Sequence, residues 1–169
     1  GQVLVTTFPL IGNYGVPPKE EQDGVARYFE SSRIHCEAIV CQDYSWEYSH
    51  WLAEESLSDW LKREQVVGVY GIDTRALTKL LREKGSMLGR IFIEGAEKPE
   101  FYDPNKENLV AKVSCKEVET YGDGDKTVVL VDCGTKNNII RCLVKRGVKV
   151  VRVAWDYDCS QIDYDGLLI

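Results

Sequence analysis

Apolar and polar positions along the chain fall into two textures that change near residue 126. In the first, residues 2–7 read as a strand, closed by turn signals at Pro9 and Gly12-Asn13. Residues 20–31 carry Val25, Tyr28 and Phe29 at helical spacing and predict a helix. Ile34, Cys36, Ala38 and Val40 alternate with His35 and Glu37, the period-two sign of a strand. A helix over residues 54–63 is expected to bury Leu57, Trp60 and Leu61, and residues 66–70 form a short strand. The best-defined element follows. Asp73 stands at an N-cap, Leu77, Leu80 and Leu81 make one apolar stripe, Arg82 and Lys84 suit the carboxyl end of the dipole, and Gly85 is a natural stop. Residues 86–93 read as a further strand.

Residues 94–108 are polar, with Pro99 and Pro104, and read as an excursion loop. Residues 116–126, with Gly122-Asp123-Gly124-Asp125, make the best linker. Beyond it residues 127–131 are continuously apolar, as in a parallel strand buried on both faces. Residues 138–146 predict a helix with Ile139, Ile140, Leu143 and Val144 as its core side and Gly147 as its stop. Residues 148–153 are a second apolar strand and residues 167–169 begin a third. Strand, helix, strand is a βαβ opening, expected to cross over right-handed. The expected fold is therefore an α+β domain over residues 1–115, a linker over 116–126, and over 127–169 the start of a doubly wound α/β domain. Both ends read as cut: the chain opens on Gly1-Gln2-Val3 and closes on Leu167-Leu168-Ile169, a strand entered but not left.

Composition narrows the function classes. The chain has 169 residues with a net charge of −6, which argues against a nucleic-acid or anionic-membrane surface, since both want a positive field. No apolar run is long enough to span a bilayer. Six cysteines occur with no CxxC pair, at spacings that fit no zinc module, and read as reduced, mostly buried thiols of an intracellular protein.

Candidate chemistry is sparse. Cys133 follows a strand and precedes a helix N-terminus, where a thiol can become reactive. It lacks a Gly-x-Cys-x-Gly elbow, and the two histidines, His35 and His50, lie in the first domain, so its expected role is structural. Gly134-Thr135-Lys136 has one glycine where phosphate loops have two or three, and Asn137 or Asn138 as an N-cap explains the polar residues there. His35 and Cys36 fall on opposite faces of the expected strand, which disfavours a metal site with Cys41 and His50. Asp73 with Arg75 reads as a cap plus a surface or interface arginine. The aromatic stretch Trp46, Tyr48, His50 and Trp51 has acidic neighbours at Glu47, Glu54 and Glu55, against the cations that single-stranded nucleic acid requires, so core or partner-interface packing is expected.

Three strings carry more than their physics. GIDTRALTKLLREKG at 71–85, FPLIGNYG at 8–15 and VVLVDCGTKNNIIR at 128–141 occur in the order and at about the spacing seen in the small, glutamine-hydrolysing chain of carbamoyl phosphate synthetase. The chain resembles that family over nearly its whole length. The resemblance implies the small-chain N-terminal domain followed by the beginning of a class I glutamine amidotransferase domain. It implies ammonia supplied from glutamine to a large synthetase chain, in pyrimidine or arginine synthesis, with ATP and magnesium used by the large chain. It also implies a cytoplasmic protein, or a mitochondrial one for an ammonia-type relative. The family's oxyanion loop would come immediately after Ile169, its nucleophile and His/Glu pair further on, and its glutamine-contacting serine before Gly1. No catalytic, cofactor or metal residue is therefore expected within 1–169, and these residues alone should be inactive. Gly12, Asn13, Asp73, Thr74, Arg75, Lys136, Asn138 and Arg141 are expected as signature residues of structural or interface type. The rival readings are an ammonia-dependent relative with serine as the nucleophile, a flavodoxin-like nucleotide binder, and a non-catalytic interaction module.

Overall fold

The opening apolar run folds as β1 (Val3–Val5) in a computed structural model that describes residues 1–169. The protein is mixed α/β and divides into two units, Gly1–Pro18 with Arg33–Pro104, and Lys19–Ser32 with Asn105–Ile169. After β2 (Leu10–Ile11) the chain therefore leaves the first unit for residues 19–32, which carry β3 (Glu21–Gln22) and β4 (Val25–Ala26). It returns for β5 (Ala38–Val40), β6 (Asp43–Tyr44), α1 (Leu57–Arg63), β7 (Val67–Val69) and α2 (Thr74–Lys84). Strands β1, β5 and β7 form a parallel sheet in that order, and β2 pairs in parallel with β6.

Strand β5 is shorter than its alternating pattern. It is laddered only where three-residue β1 and β7 flank it, so Ile34, His35 and Cys36 lie before the strand instead of on opposite faces of it. Helix α1 begins at Ser56, whose Oγ accepts the Asp59 amide at 3.0 Å. Its buried Leu61 reaches down to β7, where a Cβ on Gly68 would stand 3.4 Å from the leucine Cδ1. The predicted cap of α2 is present: Asp73 Oδ1 accepts the Ala76 amide at 2.9 Å, and the Gly85 amide closes on Leu81 O. Its apolar stripe is not a core face, however. Thr74 is the helix's one buried residue and Leu80 is 41% exposed. Residues 86–93 form no strand either, because no neighbouring strand offers them a ladder, and Met87, Leu88, Phe92 and Ile93 are exposed.

The turn after β2 explains two glycines of the first signature. Gly12 has φ +98°, and a Cβ there would meet Ser45 O at 2.7 Å and the Tyr44 ring at 3.0 Å. Gly15, at φ +74°, would place a Cβ 2.8 Å from both Ala53 Cβ and the Tyr48 ring. Only glycine lets residues 10–16 lie this close to residues 44–53.

In the second unit residues 20–31 are a hairpin and contain no helix. Asp23 and Gly24 both have positive φ, 55° and 73°, the requirement of a two-residue type I′ turn, and β3 pairs antiparallel with β4 across it. The Asp-Gly turn chemistry overrides the helical spacing of Val25, Tyr28 and Phe29. The unit continues through α3 (Leu109–Val113), β8 (Glu119–Tyr121), β9 (Lys126–Asp132), α4 (Asn137–Val144), β10 (Val148–Ala154) and β11 (Gly166–Leu168). The sheet order is β11-β9-β10-β8, with β9 parallel to both β10 and β11 and β8 antiparallel at the edge. Residues 116–126 thus supply an edge strand where the composition suggested a linker.

Both faces of β9 are covered, as its unbroken apolar run requires. Leu130 and Val150 join Ile140 of α4 and Val25 of the hairpin on one side. Val129, Val131, Val151 and Val153 meet Tyr157, Cys159 and Ile162 on the other. Each fully buried aliphatic side chain contributes about 1.5–3 kcal/mol relative to exposure, so this sheet is the stable centre of the second unit.

Candidate functional site

Among the parallel strands of the second sheet β9 comes first along the chain, with β10 on one side of it and β11 on the other. The carboxyl end of β9 is therefore a topological switch point, the place where open α/β sheets form their ligand crevices. Asp132 ends the strand there and is completely buried. Its Oδ1 accepts the amides of Gly134 at 3.0 Å and Thr135 at 2.8 Å, folding the chain out of the strand toward α4. Its Oδ2 accepts the Cys115 amide at 2.6 Å and Arg152 Nε and Nη2 at 3.0 and 2.5 Å. Arg152 also donates to Glu119 at 3.0 Å, and Glu119 accepts the Tyr121 hydroxyl at 2.6 Å.

Burial by itself would push the Asp132 carboxyl up, but the amides of Thr135, Cys115 and Gly134 together with Arg152 outweigh it and hold the carboxyl below the usual range. Burial likewise opposes the charge of Arg152, and Asp132, Tyr121 and Glu119 overcome it, keeping the guanidinium firmly protonated. The Cys115 thiol is pushed up, chiefly by burial. With every lone pair of Asp132 engaged, the group is a structural knot beneath the switch point; it has no free valence for proton transfer. Cys133 next to it is exposed and has neither a histidine partner nor a disulfide. Among all six free thiols Cys41 alone is buried, so the expectation of mostly buried cysteines does not hold.

A second cluster caps α4. Lys136 is the N-cap residue and contributes no side-chain bond, so neither Asn137 nor Asn138 is the cap. Glu30, delivered by the hairpin segment, takes that role: its Oε2 accepts the Asn138 amide at 2.8 Å and its backbone oxygen the Asn137 amide at 3.0 Å. Arg141 donates to Glu30 Oε1 at 2.6 Å, to Phe29 O at 3.2 Å and to Ala26 O. Of the signature residues, Asn138 and Arg141 are thus brought together around Glu30, while Lys136 stands at the N-cap position without a side-chain bond. Gly12 and Asn13 lie in the β2 turn, where Asn13 O accepts the Ser49 amide at 3.1 Å. Asp73, Thr74 and Arg75 start α2, with Thr74 buried and no ion pair between Asp73 and Arg75. Glu30, Asp132 and Arg152 were not singled out by sequence. Asp-x-Gly at a strand end is a signal for Asp132, whereas nothing local points to its partners 17 and 20 residues away. No three His, Cys, Asp or Glu side chains gather as a metal site, and no helix is long and apolar enough to cross a membrane.

The fold and the switch point define a two-unit α/β protein of the open-sheet class, and comparison with known proteins gives its family. The profile described as "Carbamoyl-phosphate synthase small chain, CPSase domain" matches residues 1–91. Over its whole length the chain is 51% identical to the mitochondrial ammonia-type carbamoyl-phosphate synthase of Rattus norvegicus, covering 11% of that protein. It is 50% identical to the arginine-specific carbamoyl phosphate synthase small chain of Eremothecium gossypii, covering 45% of it, and to the multifunctional protein pyr1-3 of Dictyostelium discoideum, covering 8%. The chain belongs to the carbamoyl-phosphate synthase small-chain family. It spans under half the length of these relatives.

Proposed function

We propose that these residues are part of the glutaminase component of a carbamoyl-phosphate synthase, a ligase that feeds ammonia from glutamine to a large synthetase chain or domain. The observation that carries the reading is the match of the whole chain, at about half identity, to an ammonia-type carbamoyl-phosphate synthase and to a carbamoyl phosphate synthase small chain. In this reading the first unit is the small-chain N-terminal domain. Strands β9, β10 and β11 with α4 are the opening of a class I amidotransferase domain, whose reacting groups would assemble at the switch point above Asp132. The parallel arrangement and the crevice-forming end of β9 support that role. Gly12, Asn13, Asp73 and Thr74 keep the first unit in shape, Arg75 is available to a partner surface, and Lys136, Asn138 and Arg141 secure α4. ATP and magnesium belong to the large chain. The setting is cytoplasmic, or mitochondrial if the protein is of the ammonia type.

In such a glutaminase a cysteine attacks the side-chain amide, a histidine moves the proton, and backbone amides hold the oxyanion. Residues 1–169 contain no Gly-x-Cys-x-Gly elbow, so alone they should release no glutamate. The polypeptide expressed from the encoding gene, assayed with its synthetase chain or domain, should make carbamoyl phosphate from glutamine and lose that activity to a thiol alkylator. The 51% identity to ammonia-type enzymes favours a second reading, in which ammonium alone supports turnover. Glutamine-dependent and ammonium-dependent rates measured side by side decide between them. Thiol-sensitive glutamate release from residues 1–169 by themselves would overturn the assignment of the reacting groups to other segments.

A further inference from the structure

The first unit has an open cleft of about 230 Å3 beside α1. Ile39 and Gly68 of the sheet form its floor, Leu61 of α1 one wall, and Tyr44, Trp46 and Tyr70 its mouth. The mouth rings meet edge to face, with centroids 4.8 Å apart for Tyr44–Trp46 and 5.8 Å for Trp46–Tyr70. Trp46 is 65% and Tyr70 59% exposed, so broad ring faces stand in water at the rim of an apolar hole. Exposed aromatic surface of this kind is enriched where proteins dock.

The segments that supply most of its lining are biased in charge. Residues 2–18 and 34–61 contain no lysine or arginine, while Glu37, Asp43, Glu47, Glu54, Glu55 and Asp59 are all acidic. The one charged residue lining the cleft is a cation, Lys62, with Arg63 next to it in α1, and both are answered. Arg63 is bound by both oxygens of Glu55, at 2.5 and 2.8 Å, and Lys62 lies 3.8 Å from Asp59. Elsewhere the chain sets its own cations over its rings, Arg27 over Tyr28 and Arg90 over Phe101 at 5.0 and 4.5 Å. No cation of the chain sits over Trp46 or Tyr70. Indole is the strongest neutral platform for a guanidinium, and a surrounding field of carboxylates raises the local concentration of cations.

We propose that this face docks an arginine-bearing segment of a partner protein: the guanidinium lies over Trp46 and Tyr70, and a neighbouring aliphatic side chain fills the cleft. The cleft is smaller than the 300–1,000 Å3 or so of ordinary small-molecule pockets and suits one leucine-sized group. An apolar hole next to a cation platform matches two adjacent side chains better than it matches any single small ion. Nucleic acid is excluded by the carboxylates. Since the docking needs no glutamine chemistry, it stands or falls apart from the glutaminase reading.

The probe is a dodecapeptide of four Gly-Leu-Arg repeats, titrated calorimetrically into the 169-residue chain at low salt, with Gly-Leu-Glu and Gly-Ser-Arg repeats beside it. The Gly-Leu-Arg peptide is expected to bind and to shift the Trp46 indole N–H resonance. Its affinity should fall at least about fivefold in 0.5 M salt, where surface charges are screened. Trp46→Ala should weaken it about tenfold, the equivalent of one cation–π contact. Tyr70→Ala serves as a second variant; both side chains are exposed, and unchanged far-UV dichroism verifies that each variant is folded. Gly-Ser-Arg should bind at least about tenfold more weakly, for want of the buried leucine. Binding of Gly-Leu-Glu as tight as that of Gly-Leu-Arg, affinity unchanged in both ring variants, or no Gly-Leu-Arg binding up to millimolar peptide would each overturn the proposal.

Discussion

Replacing Asp132 by asparagine removes one charge from the second unit while leaving the side chain's shape nearly unchanged. In the native protein the carboxylate accepts five hydrogen bonds, three from the amides of Cys115, Gly134 and Thr135 and two from Arg152. An amide in its place turns an NH2 toward donors on one side and leaves Arg152 facing a neutral group. Removing one partner of a buried ion pair costs about 3–5 kcal/mol. Arg152 retains Glu119 and is 17% exposed, which places the expected loss near the lower end, about 3 kcal/mol. For a unit of this size each kcal/mol is about 4–8 °C in Tm, so the transition should fall by roughly 12–24 °C. The depressed carboxyl also sets a pH signature. Because Asp132 holds its proton less tightly folded than unfolded, its contribution is complete above the unfolded value of about 4 and is lost as pH falls through the lower folded value. Denaturant melts of wild type and Asp132→Asn from pH 7 to pH 2 should therefore converge at the acid end. Arg152→Met leaves the three amide bonds in place and should cost less than Asp132→Asn. A loss under about 1 kcal/mol at pH 7, or equal acid slopes in the two proteins, would refute the account of Asp132 as an engaged, ionised knot.

Three further outcomes follow from the same geometry. Gly12→Ala meets Ser45 O at 2.7 Å in a left-handed backbone and should destabilise the first unit by about 1–3 kcal/mol, read by thermal melting, with Gly71→Ala as a spacious left-handed control. Asp73→Ala removes the cap bond to Ala76 and should cost about 1 kcal/mol, with Asp73→Asn retaining most of it. Arg141→Met removes the guanidinium's bonds to the carbonyls of Ala26 and Phe29 and to Glu30 Oε1. Amide exchange over residues 19–32 should then accelerate while the β9 and β10 amides stay protected; no change in 19–32 would show that the guanidinium does not hold the segment.

How far the chain could be read beforehand differs by region. The second sheet was legible because its strands are buried on both faces. Residues 127–131 are an unbroken run, residues 148–153 are apolar apart from Lys149 and Arg152, and the helix between them bears its own stop, Gly147. The first unit was less so. Its strands are two or three residues long, too short for periodicity to mark their ends, and the residues at 86–93 have strand composition without a strand beside them. The helix expected at 20–31 failed for a local reason that was present in the sequence: Asp23-Gly24 is a hairpin turn signal, and turn chemistry at two residues outweighed spacing at three.

Sequence by itself determined the family, the cap and stop of α2, the stop of α4, and the apolar runs of the second sheet, because each is written in residues close together along the chain. Tertiary structure alone decided which unit residues 19–32 serve, that Glu30 caps α4 from a hairpin more than a hundred residues away, and that Asp132 is consumed by Arg152 and three amides. It also decided that Gly12 is required by Tyr44 and Ser45. The reason is physical: a carboxylate's or a glycine's role is set by the groups that desolvate and bond it, and those arrive from segments whose approach no local pattern encodes.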